Sequence, residues 1–163
     1  PRPHVVTGGR TVNAMNVAPL GVVDVAYYSN HAAQYLQNLL KTVEKLPFLQ
    51  EVIDDLAADP AVDWNCQTGG ALGNDHIHAI ELEIAPIYDD GEYVETFTFE
   101  DSVSEPDRVH AFSLYSRVAE SSDFAGVQPL HDAESLAECE MMALSAVRRI
   151  NAMKANHVEQ RWE

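Results

Sequence analysis

The chain has 163 residues, 46% apolar and 22% charged, and carries 26 carboxylates against ten Lys and Arg, a formal net charge of −16. That length supports one self-standing core, and the composition is that of a globular chain, not of a disordered tail. The charge argues against direct DNA or RNA binding through a basic patch. No run approaches the roughly 18 apolar residues of a membrane span, and no basic-then-apolar secretion pattern opens the chain.

Residues 1–23 read as an irregular N-terminal segment, punctuated by Thr7-Gly8-Gly9-Arg10 and Pro19-Leu20-Gly21. Val5-Val6 and Val22-Val23 are candidates for a short edge strand. A first helix is expected from Ser29 or Asn30, either of which can cap it. Ala32, Leu36, Leu39, Leu40 and Val43 follow at helical spacing. Pro47 ends that helix and can open a second, because a first helical position tolerates the missing N–H. Phe48, Leu49, Val52, Ile53 and Leu56 form the second stripe, and Asp59-Pro60 stops it. Residues 59–75, with Gly69-Gly70-Ala71-Leu72-Gly73, read as a flexible, exposed connecting loop.

A β-hairpin is then predicted. His76 to Tyr88 and Glu92 to Glu100 both alternate, and Asp90-Gly91 between them signals a two-residue type I′ turn. That turn would pair Asp89 with Glu92, Ile84 with Phe97 and Leu82 with Phe99. It would gather Ile80, Leu82, Ile84 and Tyr88 on a core face. Val109 to Val118 reads as a third strand with Phe112, Leu114 and Val118 inward. Ser121 to Gly126 form a turn, and Val127 to Leu130 a short fourth strand. Asp132 is expected to cap a long final helix. Leu136, Cys139, Ala143, Ala146, Ile150 and Met153 make its narrow seam, suited to the sheet or to a second copy in a homo-oligomer. Arg148, Arg149 and Lys154 sit toward its C-terminus, where the helix dipole favours cations. The expected fold is therefore α+β in a single domain over 1–163. It has N-terminal helices, an antiparallel meander of three to four strands, and a long C-terminal helix packed on the sheet.

Charge is the strongest functional signal. Residues 46–107 contain no Lys or Arg, yet they hold sixteen of the 26 carboxylates. Such a block repels nucleic acid and anionic membranes and draws cationic partners. The predicted register places Glu81, Glu83, Asp89, Asp90, Glu92, Glu100 and Asp101 on or beside one acidic hairpin face, the expected partner-binding surface. Carboxylates at i and i+2 on a strand lie about 6.6–6.8 Å apart, the scale of successive phosphates. The leading expectation is an acidic binding module or inhibitor that engages a basic protein surface. It would act as a nucleic-acid mimic if that surface normally holds DNA or RNA.

Other chemistries have weaker signals. His76 and His78, with Asp75, would project together from a strand and suit zinc. A further ligand is required, for which His110, His131 and Cys66 are candidates. That constellation supports the alternative of a small metal-dependent hydrolase or metal-binding protein. Glu51, Asp54 and Asp55 would need facing carboxylates such as Glu134, Glu138 and Glu140 to hold Mg²⁺. The glycine run lacks the lysine of a phosphate loop. No Gly-x-Ser-x-Gly occurs, and Cys66 has no evident base. No cofactor is implied, and the reading leans away from an enzyme. Two isolated cysteines, Cys66 and Cys139, suit reduced thiols and a cytoplasmic setting.

Overall fold

A computed structural model describes residues 18–45, 47–58, 63–118 and 126–162. The order of the larger elements is β1 (Val25–Tyr27), α1 (Ala32–Lys45), α2 (Pro47–Ala58), β2 (Ala79–Asp89), β3 (Val94–Thr96), α3 (Phe99–Ser104), β4 (Ala111–Val118), β5 (Gly126–Ala133) and α4 (Leu136–Trp162). Short 3₁₀ turns occupy Val22–Asp24, Thr68–Gly70, Asn74–His78 and Pro106–Arg108. Among the described residues no helix is long and apolar enough to cross a membrane.

The fold is mixed α and β with a long C-terminal helix on the sheet, but the sheet is not a pure antiparallel meander. Its strand order is β1-β2-β4-β5, with β3 also paired to β2. β1 runs parallel to β2, matching Val25 with Leu82 and Tyr27 with Ile84. β3 takes the same edge of β2 further along, matching Ile87 with Thr96 and Asp89 with Val94. Two short strands thus share one edge of an eleven-residue strand. A parallel partner needs a long crossover, and the α1–α2 pair supplies it. The strand at Val25–Tyr27 lies just past the segment expected to be irregular. Val22-Val23, expected as a candidate edge strand, instead open a 3₁₀ turn over Val22–Asp24, closed by Asp24 N–H donating to Gly21 O at 3.0 Å; Val5-Val6 and Thr7 to Arg10 fall outside the described residues.

The hairpin departs from its expected register by two residues. Asp89 pairs with Val94, not Glu92. The reason is local side-chain chemistry. Asp90 Oδ1 accepts from the N–H groups of Glu92 at 3.0 Å and Tyr93 at 2.8 Å, and Asp89 Oδ1 accepts from Gly91 N–H at 2.8 Å. These bonds close a four-residue loop that outcompetes the two-residue turn. A shift of two keeps every side chain on its face, so Leu82 and Ile84 are still buried. Ile80 is not: a bulge between Ala79 and Glu81 turns it outward, 40% exposed, and buries Ala79 instead.

The second arm also ends early. Thr98 Oγ1 accepts from Asp101 N–H at 3.1 Å and caps α3, whose first turn carries Glu100 and Asp101. Phe99 therefore opens a helix and never pairs with Leu82. It packs against Tyr27, Tyr35 and Phe112.

Burial explains the rest. Leu39 of α1, Ile53 of α2, Phe99 of α3 and Cys139, Ala143, Ala146, Val147 and Ile150 of α4 form one core with Val25, Tyr27, Leu82, Ile84, Leu114 and Leu130. Phe48 and Leu49 lie outside the described side chains; Val52 of the expected stripe is exposed. Helix α4 starts at a Ser135 cap, whose Oγ accepts from Glu138 N–H at 3.1 Å. Asp132, the expected cap, lies in β5 and accepts from Ser113 Oγ at 2.6 Å. The α4 seam is enclosed within the chain, with Ala143, Ala146 and Ile150 at 0% exposure. Those three positions of the seam are therefore covered within the chain itself.

Residues 63–75 are not the loose loop expected of them. Asn65 Oδ1 accepts from Asp132 N–H at 2.8 Å, its amide donates to Asp132 O at 2.9 Å, and Gln67 Nε2 donates to Pro129 O at 2.7 Å. Trp64 is buried. The segment is laced to β5, which satisfies an otherwise open edge. Asp59-Pro60 and the Ser121 to Ala125 part of the expected turn fall outside the described residues.

Candidate functional site

From Glu81 onward the sheet has two unlike faces. The even positions of β2 and β4 enter the core. The odd positions form the other face: Glu81, Glu83, Ala85 and Ile87 on β2, beside Ser113, Tyr115 and Arg117 on β4. Ala26 and Tyr28 extend it on one side, and Val127 and Pro129 on the other. None of these residues belongs to the core cluster, but Ala85, Ile87 and Ser113 are buried on this side, at 1%, 2% and 1% exposure. Tyr28 is 41% and Val127 45% exposed.

The cation-free block of the sequence is not cation-free in space. Antiparallel pairing sets Arg117 opposite Glu81. Its Nε lies 3.2 Å from Glu81 Oε1, and an Nη lies 3.4 Å from Glu83 Oε2. Arg108 bridges Glu95 and Glu105 and lies over the rings of Tyr88 and Phe97. Arg148 of α4 reaches Asp54 of α2. Exposed pairs like these add little stability, but they lower the local charge.

The seven expected partner-binding residues therefore separate into distinct roles. Glu81 and Glu83 share one guanidinium on the open face. Asp89 and Asp90 shape the hairpin loop, and the N–H bonds from Glu92 and Tyr93 hold the Asp90 carboxyl below its ordinary range. Glu100 is structural. Its carboxylate accepts from Ser29 Oγ at 2.6 Å and Asn30 N–H at 3.0 Å, just before α1. The Ser29 bond, ahead of the others, holds its pKa down. Glu92 and Asp101 are exposed, and among the described residues their carboxylates take no hydrogen bond or ion pair. At the hairpin end Arg108 pairs with Glu95 and Glu105, while Asp89, Asp90 and Glu92 lie in or beside the hairpin loop and Asp107 precedes Arg108 in the chain. His110 joins this end through its ring nitrogen, 3.1 Å from Asp89 O.

The expected metal ligands behave differently again. Asp75, His76 and His78 lie on a 3₁₀ turn ahead of β2, not on the strand. His76 is fully buried, with Nδ1 3.3 Å from Ser116 Oγ and Nε2 3.2 Å from Gln67 Oε1. Burial lowers its pKa, and Asp75 opposes that. Both ring nitrogens are thus engaged within the fold. His78 and Asp75 border a cleft of about 490 Å³ with Asn74, Met153, Asn156 and His157. Among the described residues no three His, Cys, Asp or Glu side chains are grouped to hold a metal ion. His110 and His131 lie elsewhere: His131 Nδ1 accepts from Asn65 N–H at 3.3 Å, and its ring meets Trp64 edge-on.

Nucleophilic chemistry has no better footing. Cys66 and Cys139 are both free thiols. Burial, reinforced by Asp132, pushes Cys66 up to about 12, so it stays protonated and unreactive at neutral pH. Of the helix carboxylates proposed for Mg²⁺, Asp54 pairs with Arg148, and Glu140 accepts from Tyr27 Oη at 2.5 Å. In the glycine run, Gly70 N–H donates to Gln67 O, and Gly70 O accepts from Trp64 N–H. That turns its backbone inward, away from any anion.

One feature of the open face was not read from the sequence. Tyr28, Glu83, Ala85, Thr96, Tyr115 and Val127 line a hollow of about 270 Å³. The alternation of Ser113, Tyr115 and Arg117 already marked them as outward residues of one strand. Tyr28 gave no such signal, because its place depends on the parallel pairing of β1. No family model, no curated protein and no solved structure matches this chain.

Proposed function

We propose that this protein is a binding module that docks on a basic protein surface through its open sheet face and the acidic hairpin end beside it. The observation that carries the reading is a five-stranded sheet whose face away from the core cluster bears Glu81 and Glu83 beside the exposed Tyr28 and Val127, next to a hairpin end rich in carboxylates of which Glu95 and Glu105 pair with Arg108. Steering by such a field speeds association with a cationic partner and excludes anionic ones. The pairing of Glu81 and Glu83 with Arg117 lowers the negative charge on this face, so attraction of a cationic partner leans on the hairpin end. It gives little support to the narrower reading of a phosphate-like charge row, because the guanidinium interrupts that row.

The test is capture of partners from a lysate across a salt series. Variants Glu92→Lys, Asp101→Lys and Asp107→Lys, combined, should weaken capture and leave the fold intact, since none of the three carboxylates holds another group. Glu134→Lys with Glu138→Lys, on the exposed start of α4, is the control. Screening over about 8–10 Å near physiological ionic strength predicts weaker capture as salt rises. A partner held equally well by the triple variant and at several-fold higher salt refutes the reading.

A further inference from the structure

We propose that the hollow on the open face is a seat for one protruding Arg or Lys side chain of the partner, flanked by the rings of Tyr28 and Tyr115, with its cationic head at Glu83. This rests on the reading of the chain as a binder of basic protein surfaces, and it names where a contact forms.

The hollow follows from register. Parallel pairing matches Ala26 with Glu83, and the Tyr28 N–H to Ile84 O bond of 2.8 Å carries that pairing one step on, setting Tyr28 beside Ala85. Antiparallel pairing sets Tyr115 opposite Glu83 and Ser113 opposite Ala85. The hollow is therefore lined by Tyr28 and Tyr115 on the strands either side of β2, with Glu83 beside them and Ala85, 1% exposed, beneath. Among the described residues no ring contact joins Tyr28 to Tyr115, and both line the hollow of about 270 Å³.

Chemistry selects the occupant. Aromatic faces attract Arg and Lys heads, and the attraction grows as the cation loses water. The carboxylates of Glu81, Glu83 and Asp132 on this face outnumber Arg117, its one cation. The Tyr115 hydroxyl reports that field. Burial raises its pKa first and a bond with Ser113 opposes, but the nearby carboxylates of Asp132 and Glu83 push it further up. Glu83 meets Arg117 at 3.4 Å, longer than a good charged hydrogen bond, so it can accept a second donor. An anionic ligand would be repelled. A second copy of this chain is disfavoured by its own charge of −16.

The experiment is a two-dimensional NMR titration of the full chain with a capped Gly-Arg-Gly peptide. The same peptide with citrulline, which keeps the shape without the charge, is the comparison. Saturable shifts at Tyr28, Ala85, Thr96 and Tyr115 are expected with arginine and absent with citrulline. Tyr28→Ala should weaken binding roughly two- to fivefold, the worth of one exposed cation–π contact. Glu83→Gln should weaken it too. Tyr28 is half-exposed, so the variant should keep its fold, as its spectrum will show. Equal shifts from citrulline, or unchanged affinity in Tyr28→Ala, overturn the seat. Partner capture that survives Tyr28→Ala and Glu83→Gln but falls with the hairpin-end variant overturns the seat and leaves the proposed function standing. Arginine-specific shifts beside a salt-insensitive capture support the seat and defeat the proposed function.

Discussion

Lys154 gives a sharp test of the core, because it is a lysine where a hydrophobe would be expected. It is 1% exposed on α4, and its Nζ donates to Ala79 O at 2.7 Å, at the start of β2. Burial, opposed by Asp24, lowers its pKa from 10.5 to about 8. The folded state thus binds this proton less tightly than the unfolded chain does. Below about pH 8 the folded protein must bury the charge, and the full penalty applies. Between pH 8 and 10.5 the folded lysine is neutral while the unfolded one is still charged, so the penalty shrinks as pH rises. One pKa unit is worth about 1.4 kcal/mol. The penalty is therefore on the order of 3 kcal/mol at neutral pH, and it falls by roughly 1 kcal/mol between pH 8 and 9 and by about 2 kcal/mol between pH 8 and 10.

Cys66, Cys139 and Tyr27 act in the opposite sense above about pH 9, since burial raises all three pKa values. Their unfolded forms ionise first, and stability falls. Lys154→Met removes the lysine term and keeps these. Urea unfolding of both proteins from pH 7.5 to 10 isolates it: the wild-type stability minus that of Lys154→Met should climb with pH by the amounts above. A difference that stays flat, or falls, would show that the ammonium is not held in a dry core and that α4 does not pack against the start of β2 as described.

Further outcomes follow from the same packing. Ile150→Ala, at a site with no exposure, should cost roughly 2–5 kcal/mol by chemical denaturation; a smaller loss would mean α4 is loosely seated. Gly91 has φ of +94° in the hairpin loop, so Gly91→Val should cost about 1 kcal/mol or more; an unchanged melting curve counts against that conformation. Glu100→Gln keeps the shape but weakens the bonds to Ser29 and Asn30. Amide exchange should quicken in the first turn of α1 and stay slow in α4, and uniform exchange would deny Glu100 its bridging role.

Local rules made much of this architecture readable. Helical spacing located α1, α2 and α4, with Leu39, Ile53, Cys139, Ala143, Ala146 and Ile150 buried as expected. Period-two alternation located β2 and β4 and separated Leu82, Ile84 and Leu114 from Glu81, Glu83, Tyr115 and Arg117. These patterns depend on residues close in sequence, whose directions the backbone repeat fixes. The helix start at Thr98-Phe99-Glu100-Asp101 was also local and legible, but the alternation through Phe97 and Phe99 masked it.

The rest was decided in three dimensions. Nothing near Val25–Tyr27 announces that it will lie parallel to a strand more than fifty residues away; that pairing depends on which edge of β2 is left open once β3 stops at Thr96. A block free of cations in sequence became a surface with Arg108, Arg117 and Arg148 set into it, because strand pairing and helix packing join residues without regard to their separation along the chain. For the same reason the sequence determined how much negative charge this protein carries. Only the tertiary structure decided which carboxylates cap a helix, which close a loop, which meet an arginine, and which face outward for a partner.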